Sequence, residues 1–449
     1  MARLFGTDGV RGLANVDLTA PLALELGEAA ARLTTQGRPA SGHKPKAIIG
    51  RDTRISGEFL DHALAAGLAS AGMDVVRVGV VTTPTVAHLT ASSSVDLGVM
   101  ISASHNPMPD NGIKFFAHGG YKLPDQVEDQ IQELLNTSWD RPTGAAVGEV
   151  EYDDDWAEKS YIEHLMTSLG TDLHGLRIAV DCANGGASFL APEAFRQAGA
   201  DAVVINAAPD GRNINDKAGS THPEQLQALT VASEADFGVA YDGDADRCLA
   251  VDRDGNIVDG DKIMGALAVH MRDEGQLAKD TLVVTVMSNL GLILAMQEAG
   301  IKTVQTGVGD RYVLEAMLEG GYSLGGEQSG HIIAKKYATT GDGILSSLLL
   351  ARMVKESGRD LADLTSFIKR LPQTLINVGG VDRSRANTDP AVQEAVAAAE
   401  AVLGNTGRVL LRPSGTEPLV RVMVEAATQS QADGVASRLA DVVKENLAL

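Results

Sequence analysis

The chain has 449 residues, of which 44% are hydrophobic and 4% are aromatic, and its formal net charge is −21. This length and hydrophobic content suit three or four folded domains with well-filled cores, so a disordered chain is excluded. The acidic balance, with no basic stripe, excludes nucleic acid as a partner. An anionic ligand would therefore need a local cluster of arginines, lysines and helix N-termini to bind against the overall charge.

Signals for secretion, membrane insertion and disulfide formation are missing from the sequence. The first eight residues contain no apolar secretion segment, and no apolar run approaches the roughly 20 residues that cross a bilayer. Cys182 and Cys248 are too few and too far apart for a disulfide framework or a thiolate metal site. We therefore expect a cytoplasmic protein without a membrane partner.

Three stretches of the chain share one pattern, in which an apolar strand ends in a small polar loop and is followed by helical apolar spacing. They lie at residues 46–52, 176–181 and 281–286. Alternation of strand, loop and helix is typical of layered α/β domains. Beyond residue 370 the pattern changes to short alternating strands and two helices, which predicts a compact α+β domain.

Changes in composition divide the chain into four predicted domains. Proline, glycine and acidic residues at 136–155 are typical of a linker, and the pattern at 252–256 predicts a turn between two strands. The predicted domains are 1–150, 151–255, 256–370 and 371–449. The elements predicted in the last domain are strands at 375–379, 408–411 and 419–426 and helices at 390–403 and 430–446.

The most informative segment of the chain leads to Ser104. An apolar run that ends at Ile101 predicts a strand, and the small residues Ser102 and Ala103 then precede the serine, a histidine and an Asn-Pro turn signal. Open α/β sheets usually bind ligands at the carboxyl ends of their strands. We therefore expect an exposed loop hydroxyl with room for a phosphoryl group, and ordinary turn chemistry is the alternative.

Two neighbouring features supply further polar groups. The segment 5–12 places polar side chains between glycines. Lys114 follows the Ser104 loop closely, so it could supply positive charge or transfer a proton. An ordinary solvated lysine is the alternative.

Three carboxylates, Asp242, Asp244 and Asp246, stand at alternate positions after an apolar strand-like run. Hard cations such as Mg²⁺ prefer oxygen ligands, and three carboxylates on a tight loop can converge on one ion. An EF-hand calcium loop is excluded, because Arg247 and Arg253 occupy the positions that require glycine and glutamate. A solvated acidic turn is the alternative, although Arg247 beside the triplet is well placed to hold a phosphate oxygen.

Two glycine-containing loops carry ligand-binding groups. The segment 325–331 combines Glu327, Ser329 and His331 with backbone N–H groups that could bind sugar hydroxyls. The segment 412–418 combines an arginine, two hydroxyls and a glycine into a cradle for an oxyanion. Each could instead be an ordinary turn. Together with a nucleophilic hydroxyl and a metal loop, they are typical of phosphoryl transfer, which depends on positioning and charge neutralisation.

The order of these four loops resembles that of the signature loops of the α-D-phosphohexomutases. The loops are Ser-His-Asn-Pro at 104–107, Asp-Gly-Asp-Ala-Asp-Arg at 242–247, Gly-Glu-Gln-Ser-Gly-His at 326–331 and Arg-Pro-Ser-Gly-Thr-Glu-Pro at 412–418. The resemblance covers essentially the full length and is greatest for the bacterial phosphoglucosamine mutase branch. It implies an α/β fold of three similar domains with mixed sheets plus a smaller α+β C-terminal domain, arranged around a central cleft.

The resemblance also implies roles for individual residues. Ser104 would carry a phosphoryl group, and one Mg²⁺ per chain would bind that phosphate and Asp242, Asp244 and Asp246. The catalytic residues would be Ser104, His105, Lys114 and Arg247. The substrate-binding residues would be Arg11, Glu327, Ser329, His331, Arg412, Ser414, Gly415, Thr416 and Arg421. Arg11, His105, Lys114 and His331 would supply charge or transfer protons.

The implied reaction is an isomerisation of a phosphosugar. The phosphoserine would donate its phosphoryl group to O1 of glucosamine 6-phosphate, which gives a hexosamine 1,6-bisphosphate as intermediate and primer. After this intermediate turns over, its 6-phosphoryl group would return to Ser104 and release glucosamine 1-phosphate. The product would feed UDP-N-acetylglucosamine and cell-wall peptidoglycan synthesis. The chain could assemble into a homodimer.

Other functions have also to be considered for the same loops. Phosphomannomutase and phosphoglucomutase are the alternative branches of the superfamily. A non-catalytic sugar-phosphate-binding module would need the cradle and the sugar loop, but neither Ser104 nor the aspartate triplet. A phosphatase would have no use for two separate phosphate-binding loops. It would also need water to reach the site, whereas a cleft that retains a bisphosphate must exclude water.

Overall fold

The computed structural model describes residues 3–6, 8–35, 44–414 and 419–449. The chain forms two compact units, one of Met1–Met287 and Ile301–Ser366 and the other of Ser288–Gly300 and Phe367–Leu449. In the described residues, the first unit contains three mixed sheets and the second contains one antiparallel sheet. This confirms the predicted class of three α/β domains and a smaller α+β domain. Among the described helices, none is long and apolar enough to cross a membrane.

The first sheet has six strands. In chain order these are β1 Val10–Leu13, β2 Lys46–Arg51, β3 Asp74–Val80, β4 Leu97–Ile101, β5 Asp110–Ala117 and β6 Val150–Tyr152, with helices α1 Ala20–Thr35, α2 Ile55–Ser70, α3 Thr83–Ser92 and α4 Asp125–Leu134. The strand order is β1-β5-β4-β2-β3-β6, in which β5 is antiparallel to β1 and β4. All residues of β4 are buried, as expected for a central strand covered on both faces.

The two faces of the first sheet bury separate cores. Val99 of β4 packs in a cluster with residues of α1 and α2, whereas its neighbour Met100 packs in a cluster with residues of α3. Successive strand residues point to opposite faces, so β4 contributes to both cores. The strand that leads to Ser104 is therefore held rigidly from both sides.

The predicted linker at 136–155 ends in regular secondary structure. Strand β6 joins the edge of the first sheet beside β3. The next helix, α5 Asp154–Leu169, begins where the Asp153 carboxylate accepts a hydrogen bond from Trp156 N at 3.1 Å. Acidic side chains favour a helix N-terminus because they satisfy free N–H groups and the positive end of the dipole. The acidic run at 153–155 therefore starts a helix.

The second sheet has five strands. These are β7 Arg177–Asp181, β8 Asp201–Ile205, β9 Phe237–Tyr241, β10 Cys248–Asp252 and β11 Ile257–Val258, with helices α6 Ala187–Gln197 and α7 Glu224–Ala232. The order is β11-β10-β9-β7-β8, with β7 parallel to β8 and β9 and with β10 antiparallel to β9 and β11. The predicted turn at 252–256 is confirmed, since Asp252 N donates to Asn256 O at 2.9 Å.

The third sheet has four strands in the order β13-β12-β14-β15. Its strands are β12 Thr281–Thr285, β13 Lys302–Thr306, β14 Leu324–Gly326 and β15 Ile332–Ala334, and only β15 is antiparallel to its neighbour. The helices in this part of the chain are α8 Gly260–Asp273, α9 Leu290–Glu298, α10 Asp310–Gly320, α11 Gly343–Ser357 and α12 Leu361–Thr365. Of these, α9 belongs to the second unit.

The second unit confirms the elements predicted beyond residue 370. They are β16 Gln373–Gly379, α13 Pro390–Leu403, β17 Arg408–Pro413, β18 Leu419–Glu425 and α14 Gln429–Leu447, and the strands lie in the antiparallel order β16-β18-β17. The alternating valines of β18 are buried, but so is Glu425 on its other face. Its carboxylate pairs with Arg408 Nε at 2.8 Å and accepts Leu290 N at 2.9 Å, which explains its burial.

Short 3₁₀ turns complete the described secondary structure. They lie at Gly144–Ala146, Gly219–Thr221, Ala278–Asp280, Arg383–Arg385 and Gly404–Thr406.

Candidate active site

The Ser104 loop (residues 102–110, ending at the first residue of β5) begins directly after the buried strand β4, as predicted. Ser102 N donates to Gly112 O at 2.9 Å, so the chain is still attached to β5 two residues before the serine. Ser104 itself has a φ of 52°, in the left-handed region that non-glycine residues rarely adopt. Its exposed fraction is only 1%. The expectation of an exposed hydroxyl was therefore wrong, because loops from other parts of the chain cover the serine.

The Ser104 hydroxyl faces a carboxylate and an imidazole. Its Oγ donates to Asp242 Oδ2 at 2.6 Å and lies 3.3 Å from His105 Nδ1. Burial lowers the pKa of His105 to about 4, and the cations Arg247 and Arg11 act in the same direction. The imidazole beside the hydroxyl is therefore neutral at neutral pH.

The aspartate triplet lies at the end of β9, where the structure brings its three carboxylates together. Asp242, Asp244 and Asp246 are all buried, and one oxygen from each lies within 4.8 Å of the others. The loop packs so closely on the Ser104 loop that a Cβ at Gly243 would be 2.6 Å from Ser104 O. Glycine at this position thus lets the triplet approach the serine.

The electrostatics of the triplet suit a divalent cation. Burial, and next the neighbouring carboxylates Asp246 and Asp244, raise the pKa of Asp242 to about 8, so a cation bound beside it would favour its ionised form. Within the described part of the chain, Oδ1 of Asp244 and Oδ1 of Asp246 are buried and accept no hydrogen bond. Buried carboxylate oxygens that accept no hydrogen bond fit a metal such as Mg²⁺, which takes oxygen ligands.

Lys114 of β5 lies beside the triplet and is only 1% exposed, so the solvated alternative is wrong. Its Nζ is 2.7 Å from Asp244 Oδ2 and 2.9 Å from Asp8 Oδ2. Burial by itself lowers the pKa of Lys114, but Asp244 and Asp8 outweigh burial, so the pKa is raised. Arg11 also pairs with Asp8, which places two cations at the edge of the metal loop.

Arg247 follows the triplet and remains close to it. Its backbone N–H donates to Asp242 Oδ1 at 3.3 Å, and its Nε lies 3.8 Å from Asp246 Oδ1. The Arg247 side chain is partly exposed. It is thus attached to the metal loop, and part of its side chain remains accessible to solvent.

The predicted sugar loop connects β14 to β15. Glu327 Oε1 accepts a hydrogen bond from Gly309 N at 3.2 Å, and Ser329 is exposed. His331 is buried, with Nδ1 3.5 Å from Asp246 Oδ2. Because Gly341 N donates to His331 Nε2 at 3.0 Å, the ring hydrogen belongs on Nδ1, toward Asp246. The structure therefore brings the sugar loop and the metal loop together.

The predicted phosphate cradle lies in the second unit. Arg412 of β17 stands opposite Arg421 of β18 in the antiparallel register. Burial, and next the charge of Arg421, lower the pKa of Arg412. Ser414 N donates to Leu419 O at 2.9 Å, and Arg383 donates to Ser414 O. Two guanidiniums side by side favour the binding of an anion. The predicted cradle residues Gly415 and Thr416 lie outside the described residues.

Several residues of the site were missed by sequence reasoning. They are Asp8, which binds Lys114; Thr83, which donates to Asp244 Oδ2 at 2.6 Å; and Arg54 and Asn215, which hold the Ser104 loop. A signal existed for two of them. Asp8 stands in the polar segment 5–12, and Arg54 follows the strand at 46–52, whose end faces the same edge of the sheet as the end of β4.

Four family models match successive parts of the chain. They describe phosphoglucomutase/phosphomannomutase alpha/beta/alpha domain I at residues 2–141, domain II at 159–255, domain III at 259–371 and the C-terminal domain at 375–442. Two similar proteins are the phosphoglucosamine mutase of Bifidobacterium animalis subsp. lactis, at 61% identity, and that of Streptomyces coelicolor, at 59%. Each match covers 100% of both chains.

Solved structures with the same fold include a phosphoglucomutase/phosphomannomutase family protein from Burkholderia thailandensis. It has a TM-score of 0.80 and 26% identity, and the match covers 99% of this chain and 97% of that chain. The N-acetylphosphoglucosamine mutase of Aspergillus fumigatus, in complex with GlcNAc-6P and magnesium, has a TM-score of 0.72 and 20% identity, with 99% and 96% covered. At that identity the likeness concerns the fold alone.

Proposed function

The chain belongs to the phosphoglucomutase/phosphomannomutase family, and from this premise we propose that it interconverts glucosamine 6-phosphate and glucosamine 1-phosphate. The observation that carries the proposal is the 2.6 Å separation of Ser104 Oγ and Asp242 Oδ2. It puts a hydroxyl that can carry a phosphoryl group at the edge of three converging carboxylates. Relatives at 61% and 59% identity that are named phosphoglucosamine mutase favour the amino sugar as substrate.

The proposed cycle begins with a phosphoryl group on Ser104. The bond between phosphorus and Ser104 Oγ breaks while O1 of glucosamine 6-phosphate bonds to phosphorus, and the O1 proton passes by way of a protein base to the freed Ser104 Oγ. The resulting 1,6-bisphosphate reorients, and Ser104 Oγ bonds to the phosphorus at its 6-position while the bond between that phosphorus and O6 breaks. The hydroxyl proton of Ser104 passes to O6. Glucosamine 1-phosphate leaves, and Ser104 is phosphorylated again. Such transfer needs positioning and charge neutralisation more than covalent chemistry.

Asp242, Asp244 and Asp246 would hold Mg²⁺ together with an oxygen of the Ser104 phosphoryl group. The Oδ1 atoms of Asp244 and Asp246, which accept no hydrogen bond among the described residues, support this fit. When bound, Mg²⁺ supplies positive charge to the phosphoryl group in transfer. Arg247 supplies a guanidinium at the same edge of the loop.

Other residues of the first unit have proposed roles toward substrate and protons. Glu327 and Ser329 bind the sugar hydroxyls. Lys114 and Arg11 supply charge, and they are candidates for proton transfer together with His105 and His331. The contact of His105 with Ser104 Oγ and the contact of His331 with the metal loop support these roles.

The cradle residues Arg412, Ser414, Gly415, Thr416 and Arg421 are proposed to hold the phosphate that is not reacting. Replacing Arg412 with alanine should then raise KM about 10-fold to 100-fold, because a hydrogen bond between charged groups contributes about 1.5–3 kcal/mol. The value of kcat should change much less, since the clamp does not touch the bond that breaks. Steady-state kinetics with glucosamine 6-phosphate measures both.

Arg438→Ala is the matched control for that variant. Arg438 is exposed on α14, so its loss should leave KM at the wild-type value. An unchanged KM in Arg412→Ala would place the phosphate clamp elsewhere.

The proposed function is tested by mass spectrometry and substrate comparison. Intact mass and peptide fragmentation should locate a phosphoryl group on Ser104, supplied if necessary by glucose 1,6-bisphosphate. Adding glucosamine 6-phosphate should remove it and produce a 1,6-bisphosphate. Faster turnover of glucose or mannose 6-phosphate would assign the chain to another branch, and a Ser104 that no hexose 1,6-bisphosphate can charge would favour the sugar-phosphate-binding module.

Four points of the sequence reading stay predictions. They are the domain boundaries at residues 150, 255 and 370, the homodimer, the cytoplasmic location, and the supply of product to UDP-N-acetylglucosamine and peptidoglycan synthesis. The family models, whose matches divide the chain at similar places, support the boundaries.

A further inference from the structure

Arg54 is a fully buried arginine whose five N–H donors are all used. Its Nε donates to Asp52 Oδ2 at 2.9 Å. The other four donors go to backbone carbonyls of the Ser104 loop, those of Ser104 at 3.0 Å, Asn106 at 2.8 Å, Pro107 at 2.6 Å and Asp110 at 3.1 Å. Burying a guanidinium is costly unless every donor is satisfied, and here the acceptors are concentrated on the nucleophile's own loop.

The Ser104 loop needs such a restraint because its backbone is strained. A φ of 52° places Ser104 in the left-handed region, which costs a non-glycine residue about 1–2 kcal/mol. A loop of this kind keeps its geometry only when its surroundings hold it. The position of Ser104 Oγ relative to the aspartate triplet therefore depends on groups outside the loop.

Asn215 supplies a second restraint from another part of the chain. Its Nδ2 donates to Ser104 O at 2.9 Å and to Asn106 O at 3.1 Å, the two carbonyls that Arg54 Nη2 also binds. The amide side of Ser104 is held as well, since Ser104 N donates to Ser102 Oγ at 2.9 Å and Ser102 Oγ donates to Asp52 Oδ2 at 2.6 Å. Both ends of the Ser104 residue are thus fixed by the Asp52–Arg54 pair.

We propose that Arg54 and Asn215 are positioning residues for phosphoryl transfer, which hold the backbone of the Ser104 loop so that Ser104 Oγ faces the aspartate triplet. This inference rests on the proposed function. Among the described residues, neither forms a hydrogen bond or ion pair with the triplet side chains, although Asn215 Nδ2 lies beside the backbone of Gly243. The hydrogen bonds of both residues go to the serine's own loop, so we infer that their effect reaches the reaction through the serine.

The first test is Arg54→Lys, which keeps the charge and removes the planar fork. A displacement of about 1 Å at the nucleophile can cost about 10²-fold in rate, so we expect kcat to fall about 10²-fold and KM to change less than about threefold. Amide hydrogen exchange of the peptide 102–111, read by mass spectrometry, should be faster than in the wild type.

Arg77→Lys is the matched control, because it separates positioning from stability. Arg77 of β3 makes a bidentate pair with buried Asp61 of α2, at 2.9 and 2.8 Å, and forms no hydrogen bond with the Ser104 loop among the described residues. It should also lose thermal stability, while kcat stays within about threefold of the wild type. A kcat in Arg54→Lys no lower than in Arg77→Lys would overturn the proposal.

Asn215→Ala keeps the proposal testable if Arg54→Lys does not fold. It removes two hydrogen bonds from the loop and leaves Arg54 in place, and the same fall in kcat with an unchanged KM is expected. Wild-type kcat in a folded Asn215→Ala would remove Asn215 from the role. Failure of the proposed function has a different signature, since the wild-type protein itself would then neither be charged on Ser104 nor turn over glucosamine phosphates.

Discussion

Replacing Ser104 with alanine is expected to lower kcat about 10⁴-fold or more, because the variant has no oxygen that can carry the phosphoryl group. The protein should still fold. The lost hydroxyl makes one buried hydrogen bond, to Asp242 Oδ2 at 2.6 Å, and such a bond contributes about 1 kcal/mol. A fall in melting temperature of about 1–2 °C is therefore expected for a chain of this size, whereas an exposed hydroxyl would imply none.

Turnover, intact mass after incubation with glucose 1,6-bisphosphate, and thermal melting measure these three effects. The matched control is Ser92→Ala, which removes an exposed hydroxyl whose hydrogen bond, among the described residues, goes to His88 O of the same helix at 2.8 Å. It should match the wild type in all three measurements. Normal turnover in Ser104→Ala, or added phosphate at another residue, would show that a different group is the nucleophile.

The second large effect is expected for Asp244→Asn. Asp244 Oδ2 accepts hydrogen bonds from Thr83 Oγ1 at 2.6 Å and Lys114 Nζ at 2.7 Å, whereas Oδ1 is buried without a partner among the described residues. An asparagine can keep both donors on its carbonyl oxygen, which turns its NH₂ group to the place of Oδ1. NH₂ cannot ligate a cation, and the negative charge is lost. The free energy of Mg²⁺ binding should therefore become about 3 kcal/mol less favourable, which lowers the apparent affinity about 10²-fold.

Calorimetric titration with Mg²⁺ measures that affinity directly, and kcat at saturating Mg²⁺ should also be strongly reduced. Asp155→Asn removes the same charge at a position where the side chain is 83% exposed and faces Lys159 at 3.5 Å, so it controls for net charge. Its metal affinity should equal that of the wild type. An Asp244→Asn protein with unchanged Mg²⁺ affinity and unchanged metal dependence of turnover would remove the triplet from the metal site.

Much of the fold could be predicted because its signals are local. Every strand and helix predicted in the second unit is present within a few residues, since alternating valines in β18 and the apolar stripe of α14 need only short-range periodicity. The acidic run at 153–155 shows the limit of composition. It looks like a solvated linker by charge alone, yet it caps α5, because the same carboxylates also satisfy helix N–H groups.

In the candidate site, the polar groups at the ends of the strands could be predicted from the sequence. Ser104 after β4, the aspartate triplet after β9, and Glu327 and His331 between β14 and β15 all follow from short motifs. The chemistry of these residue types, a hydroxyl, three carboxylates and a hydroxyl-binding loop, was readable without any contact between them. Family membership follows from the same motifs, because they are contiguous in the chain.

Which of these groups are in contact, how deeply they are buried and what charge they carry depends on packing between distant segments of the chain. Ser104 and Asp242 are 138 residues apart yet 2.6 Å from each other, and no local pattern encodes such a distance. Lys114 is a buried cation because Asp8 and Asp244 surround it, and Arg54 is buried because the Ser104 loop offers it four carbonyls. Burial and pairing energies depend on the neighbours that packing supplies, so they arise only when distant segments fold together.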